Sequence, residues 1–195
     1  MNKILDFFKR FEYNSPLILS YAIIALAALG LNALTDGVSN FAAFSVYRSS
    51  LASPLFYIRL FGHTIGHANM AHYMSNMLIM LIIGPMLEEK YGTKNLAIMF
   101  AATAFITGVV FMLFSSNALL GGSGLVFMLI LLSSFTNFQK GRIPLTLVLV
   151  ALIYIGQETI AAFATQTHIS HFTHILGGLC GAAFGYYFNK SVNKT

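Results

Sequence analysis

Long apolar runs separated by short polar stretches set the organisation of this chain. The first run, Leu17 to Leu34, follows Ser15-Pro16, which predicts a helix start with Ser as N-cap and Pro at the first position. The small residues Ala25 to Ala28 would suit a cleaved signal peptide, but the run is long enough to span a bilayer, so a retained helix is expected. Residues 36–70 are too broken to span and too apolar to float in water. They are expected to form a partly helical loop lying in the outer interface. A second run, about His72 to Leu87, is closed by Glu88, Glu89, Lys90 and a C-capping Gly92. Thr93 is expected to cap a third run, Leu96 to Phe114, and residues 115–122 make a short turn. A fourth helix begins at Ser123 and ends near Gln139-Lys140-Gly141. Pro144 opens a fifth, which reaches about Ala164 with Gln157 and Glu158 near its far end. Residues 165–170 read as a loop, and a sixth run extends from His171 to Phe188. Residues 1–14 form a short tail whose Phe7, Phe8 and Phe11 suit a membrane surface.

Composition agrees with this pattern. Of 195 residues, 57% are hydrophobic and 9% are charged, with a mean hydropathy of +0.75, against about 25% charged in a soluble domain. A spanning helix needs about 20 apolar residues, so the chain is expected to hold six spans and no separate soluble domain. The expected fold is an all-α polytopic membrane protein, one domain over 1–195. The single cysteine, Cys180, excludes a disulfide framework and reads as a buried packing residue. With the N-terminus in the cytoplasm, nine Lys and Arg residues fall inside (Lys3, Lys9, Arg10, Lys90, Lys94, Lys140, Arg142, Lys190 and Lys194) and only Arg48 and Arg59 outside. Both termini are therefore expected in the cytoplasm. The same bias explains the pI of 9.4 without a nucleic-acid partner.

The chemistry gathers around Leu119-Leu120-Gly121-Gly122-Ser123-Gly124. Ser123 is expected in the first turn of a helix, where unpaired N–H groups and the helix dipole favour developing negative charge. A small-residue contact between membrane helices is the competing reading of this stretch alone. Helix rise supplies a depth ruler. From Lys140, Lys190 and Lys90 at the inner interface, Ser123 lies about 26 Å away, His174 about 24 Å, and His72 and Asn76 about 27 and 21 Å. Four polar residues on three helices thus fall in one layer under the outer surface, where polar groups are expensive and mark a site. His72 and Asn76 share one helix face. His174 shares another with Gly177, Gly181 and Gly185, a stripe that permits close helix approach. Approach to the fourth helix would pair His174 with Ser123 as base and nucleophile. His72, Asn76 and the N–H of Ser123 would then hold an oxyanion. No acid is placed to complete a triad: Glu88 and Glu89 lie at the other membrane face and Glu158 on another helix.

These residues resemble the rhomboid family. Gly121-x-Ser123-Gly124 is similar to its serine motif, and His63, His67, His72 and Asn76 reproduce its histidine-and-asparagine spacing. Gly84-x-x-x-Glu88-x-x-x-Gly92 and His174-x-x-Gly177-x-x-x-Gly181 match its other helix motifs. The resemblance implies a six-helix fold, a Ser123–His174 dyad, oxyanion donors at Ser123, His72 and Asn76, and cleavage of other membrane proteins within or beside a transmembrane helix. It implies structural roles for Gly121, Gly124, Glu88, Arg59, Gly177 and Gly181. Three positions depart from the family pattern: Ile58 stands for the Trp before Arg59, Thr173 for a small residue before His174, and Phe127 for a tyrosine that stacks on the histidine.

The histidine spacings at 63 and 67 and at 168, 171 and 174 invite a metal reading, but nearby carboxylates and cysteines are missing, so neither metal nor cofactor is expected. His63 and His67 are instead expected to bond loop backbone groups. The two aspartates, Asp6 and Asp36, lie outside the spans, and there is no His-Glu-x-x-His. The sequence therefore points to an intramembrane serine endopeptidase of a bacterial-type plasma (inner) membrane, with transmembrane proteins as substrates and the lipid bilayer as solvent. A catalytically silent binder of membrane helices and a small membrane transporter are the rival readings.

Overall fold

The computed structural model describes residues 11–135, 142, 145–164 and 168–192. Lys3, Phe7, Phe8, Lys9, Arg10, Gln139, Lys140, Gly141, Pro144 and Lys194 lie outside the described residues, as do the side chains of Gln157, Glu158, His168 and Lys190.

The described chain is helical: α1 (Pro16–Leu34), α2 (Val38–Ala43), α3 (Pro54–Gly62), α4 (Met70–Tyr91), α5 (Thr93–Phe114), α6 (Ser123–Ser133), α7 (Leu145–Ala164) and α8 (His168–Val192). Helices α1, α4 and α5 are long and apolar enough to cross a membrane, and α6 is a shorter apolar helix. The only extended pairing among the described residues is an isolated antiparallel bridge between Val46 and Leu119. It ties the first loop to the segment leading into Ser123.

Several boundaries differ from the sequence expectation. The long first loop contains two short helices, α2 and α3, as anticipated in outline. Helix α8 starts at His168, so the backbone of 168–170 is helical rather than loop. The described part of α6 stops at Ser133, short of residue 139. The hydroxyls of Ser133 and Ser134 both donate to the Ile130 carbonyl there, competing with the helix ladder.

Neither expected side-chain cap forms, and both positions meet one carboxylate. Ser15 precedes α1 but its side chain makes no cap bond. Glu88 accepts from the N–H groups of Leu17 (2.9 Å) and Ile18 (3.1 Å), and from the Thr93 hydroxyl (2.8 Å). Thr93 is thus a donor to Glu88 rather than a cap, and Gly92 stands at the N-cap of α5. One buried carboxylate serves the start of α1, whose first N–H groups would otherwise lack acceptors, and holds the Thr93 hydroxyl at the α4–α5 corner. Nearby, a Cβ on Gly84 would meet the Ile18 side chain at 2.6 Å, so α1 crosses α4 at close range. Gly92 has φ +80°, and its N–H bonds to the Glu88 carbonyl, as expected of a C-capping glycine.

The core joins α1, α4, α5 and α6 through Ile18, Ala25, Met80, Leu96, Leu125, Met128 and Leu129, all fully or almost fully buried. Cys180 lies at the same core, as a buried free thiol. Helix α6 is central: it contacts α4, α5, α7 and α8. Among the described residues, helix α7 is peripheral and touches only α6 and α8.

Candidate active site

Ser123 is the first residue of α6, with Gly122 at the N-cap. The segment before it is held from both sides. Val46 and Leu119 exchange N–H to carbonyl bonds of 2.9 and 3.0 Å, and the N–H of Gly121 donates to the His63 carbonyl at 2.8 Å. Gly121 adopts φ +132°, a region that side-chain-bearing residues rarely enter. A Cβ there would also lie 2.8 Å from His72 Nε2. The carbonyl of Gly122 accepts from Leu125 and Val126, starting the helix ladder. As the first helical residue, Ser123 has no intrahelical acceptor for its N–H.

Helix α8 brings His174 to this serine. Along the seam between α6 and α8, a Cβ on Gly177 would collide with the carbonyl oxygen of Gly124, and one on Gly181 with that of Met128. A Cβ on Gly185 would lie 2.5 Å from the Phe135 ring. The glycine stripe therefore allows backbone-to-backbone contact. One turn above Gly177, Ser123 Oγ and His174 Nε2 are 2.7 Å apart. The Phe127 ring lies beside the His174 ring, with centroids 5.0 Å apart and a 40° tilt. The expected stacking surface is present although the tyrosine hydroxyl is not.

A pocket of about 530 Å³ opens over this pair. His72, Asn76, Ser123, Phe127 and His174 line it, together with Ser75, Ile79, Leu119, Leu120, Val126 and His171. All four residues expected at one depth thus share one cavity wall. Asn69 starts α4 by accepting the N–H of His72 at its side chain, 2.9 Å. Three of the lining residues follow from helix spacing: Ser75 and Ile79 lie three residues beyond His72 and Asn76 on α4, and His171 three before His174 on α8. The His171 ring meets the His174 ring edge-on at 5.9 Å.

Other expected residues support the walls from a distance. His63 and His67 are buried, and their Nδ1 atoms lie 3.1 and 2.9 Å from the carbonyls of Leu60 and Ile65. That is the backbone role anticipated for both. Burial pushes each imidazole down to about pKa 4. His67 also contacts Asn76, which spacing alone did not reveal: Nε2 lies 3.1 Å from Asn76 Nδ2. Arg59 is buried outside the pocket, its guanidinium 4.5 Å from the centre of the Tyr47 ring. Glu88 also lies away from the pocket, at the α4–α5 corner. Tyr21 was not singled out by the sequence. Its hydroxyl donates to the Thr64 carbonyl and stands where a Cβ on Gly122 would be, 2.7 Å away.

A hydroxyl within hydrogen-bond reach of an imidazole, at a helix N-terminus, suits activation of a nucleophile. Amide and imidazole groups in the same pocket suit stabilisation of the charge that attack would create.

Comparison with known proteins shows the family. The sequence profile of one family, described as the Rhomboid domain, matches residues 55–191. The chain is also 28% identical over 138 residues to RHOMBOID-like protein 1 of Arabidopsis thaliana, an alignment covering 67% of this chain. That alignment covers 34% of the plant protein, so the chain spans about a third of the length of this relative.

Proposed function

Because the chain belongs to the rhomboid family, we propose that it is an intramembrane serine endopeptidase that cuts transmembrane-helix-containing proteins. The carrying observation is the 2.7 Å approach of Ser123 Oγ to His174 Nε2 at the wall of the 530 Å³ pocket. In the first step His174 Nε2 takes the Ser123 proton while Oγ bonds to the scissile carbonyl carbon. The carbonyl oxygen becomes an oxyanion, received by the Ser123 N–H, His72 and Asn76. Collapse breaks the C–N bond, His174 returns the proton to the leaving nitrogen, and an ester on Ser123 remains. Water then attacks the ester, with His174 again as base, and releases the acid product. Phe127 supports the imidazole throughout.

A membrane helix must reach Ser123 sideways. Among the described residues α4 and α7 make no contact, whereas the pocket has α4, α6 and α8 in its walls. The opening between α4 and α7 is the route proposed for substrate. The reading carries with it six spans over one domain of residues 1–195, both termini in the cytoplasm, a plasma-membrane location and no metal or cofactor.

The test uses purified protein in liposomes with a panel of single-span membrane proteins. Wild type should cleave at least one of them and be labelled covalently by a serine-directed phosphonate. Ser123→Ala should lose both while keeping its helical circular dichroism. Undiminished cleavage by Ser123→Ala would exclude this nucleophile. Binding of membrane helices without cleavage or labelling would favour a silent binder.

A further inference from the structure

His67 is buried, belongs to no transmembrane run, and touches a residue of the proposed oxyanion site. Its ring geometry fixes its own proton. Nδ1 lies 2.9 Å from the Ile65 carbonyl, which can only accept. Nδ1 therefore carries the hydrogen. A neutral imidazole has one N–H, so Nε2 holds a lone pair. Burial favours the neutral form, with a pKa pushed down to about 4, and the neighbouring His72 adds to that shift. The lone pair points at Asn76, whose Nδ2 is 3.1 Å away.

We propose that His67 is a positioning residue that locks the Asn76 amide in the one orientation presenting an N–H to the pocket beside Ser123. An asparagine amide has two faces of nearly equal shape, one donating and one accepting. Rotated the other way, Asn76 would set Oδ1 against the Nε2 lone pair, acceptor against acceptor. That arrangement is repelled in a buried setting. With the lock in place, one Nδ2 hydrogen is held by His67. The second remains for the pocket that Asn76 lines. The inference rests on the reading of Asn76 as an oxyanion donor, and it adds what makes that donor reliable. Such a donor is effective only when it is aimed before charge develops.

The lock is itself held. The His67 ring is completely buried. It meets the His72 ring at 5.1 Å and the Tyr73 ring at 5.5 Å, both steeply inclined. Its backbone carbonyl accepts from the Asn40 side chain at 3.0 Å. A continuous path of hydrogen bonds thus runs from α2, through the loop before α4, to the Asn76 amide on α4.

Two experiments decide it. The first needs no activity: the ¹⁵N spectrum of full-length, histidine-labelled protein in nanodiscs at neutral pH. The His67 signals are assigned by their loss in His67→Gln. The expected result is a neutral ring with hydrogen on Nδ1 and a hydrogen-bonded, unprotonated Nε2. Hydrogen on Nε2, or a charged ring, would overturn the lock whether or not the protein is a protease. The second is kinetic. A lost oxyanion donor costs about 10²–10³ in kcat, and Asn76→Ala should show much of that loss. His67→Phe keeps the ring shape without the acceptor. It should lower kcat at least about tenfold, approaching Asn76→Ala, with little change in KM. The double variant should be no worse than the weaker single variant. His67→Gln, whose Oε1 can accept from Nδ2, should recover most of the rate. If His67 merely supports the fold, the two losses will multiply and His67→Gln will give no rescue. Should His67→Phe fail to fold, His67→Gln and the spectrum still decide. Absence of proteolysis in wild type would count against the protease reading, and the spectrum would then judge the lock.

Discussion

Helix α8 packs on two of its neighbours, α6 and α7, in opposite ways. Against α6 it presents Gly177, Gly181 and Gly185, and the two backbones touch. Against α7 it leaves an apolar cleft of about 240 Å³, lined by Leu131, Phe135, Leu147, Ala151, Gly178 and Leu179 among others. The hydrophobic effect does not drive helices together in lipid, because acyl chains are as apolar as leucine. Close association needs small residues or polar contacts, and only the α6 side has the continuous stripe. The difference matches the chemistry proposed. A hydroxyl–imidazole pair must hold its distance to a few tenths of an ångström, whereas a lateral entrance for a substrate helix needs an element that can yield.

Adjacent glycines offer the sharpest way to break the comparison. Gly177 lies on the tight seam and Gly178 lines the cleft. Gly177→Val would drive its side chain into the Gly124 backbone, which cannot move aside as a flexible side chain would. Overpacking typically costs about 1–3 kcal/mol, occasionally more. Parting of Ser123 from His174 by about 1 Å should lower activity on the order of 10²-fold. Gly178→Ala should leave both thermal unfolding and cleavage near wild type. Similar losses from the two substitutions, measured side by side in one detergent, would erase the distinction between the faces.

The loop wall before α4 differs from the seam in another respect, since it contains His63 and His67, each with a pKa near 4. The unfolded chain, with histidines near 6.5, binds more protons than the folded one between these values. Stability should therefore rise with pH from about 4 to 6.5 and level off above. The clash at Gly177 is between an added apolar side chain and the Gly124 backbone, neither of which titrates, so the deficit of Gly177→Val relative to wild type should be the same at pH 5 and pH 7. Denaturation curves at the two values provide the check. A deficit that changed with pH would mean that the loop wall and the seam unfold as coupled units.

The seam was legible in the sequence, because the three- and four-residue spacing of His174, Gly177, Gly181 and Gly185 defines a helix face without knowledge of the partner. The apolar runs and the Gly92 cap were legible for the same reason: each is decided within a few residues. What escaped was decided at long range. Ser15 looks like an N-cap, but Glu88, distant in sequence, holds the N–H groups of α1. The Asn76–His67 contact depends on how the loop before α4 folds back. His171 raised only the question of a metal, and its place in the pocket wall follows from how α8 is rotated against α6. The described end of α6 at Ser133 reflects hydroxyl competition that apolar periodicity does not register.

A smaller effect should come from the aromatic support beside the dyad. Phe127→Ala removes a ring 5.0 Å from His174 while leaving the seam in place. Aromatic pairs contribute about 0.5–1.5 kcal/mol beyond burial, so kcat should fall by up to about tenfold. Phe127→Tyr keeps the ring and should remain near wild type. A collapse of activity in Phe127→Tyr would show that the ring edge, rather than the stacking surface, controls His174.

The smallest expected effect lies on the loose face. Ala151→Leu on α7 extends a side chain into the cleft shared with α6 and α8. Leucine there gains dispersion contacts, and in lipid it displaces acyl chain rather than water, so the gain in Tm should be modest. If α7 must shift to admit a substrate helix, tighter packing should slow cleavage of membrane substrates by a few-fold. Labelling by a small phosphonate should be unchanged, since the reagent needs only the pocket and not the lateral opening. Slowing of both reactions would place the effect at Ser123 and His174 rather than at entry. Slowing of neither would mean that α7 stays still, and that the entrance depends on α4 or on the first loop.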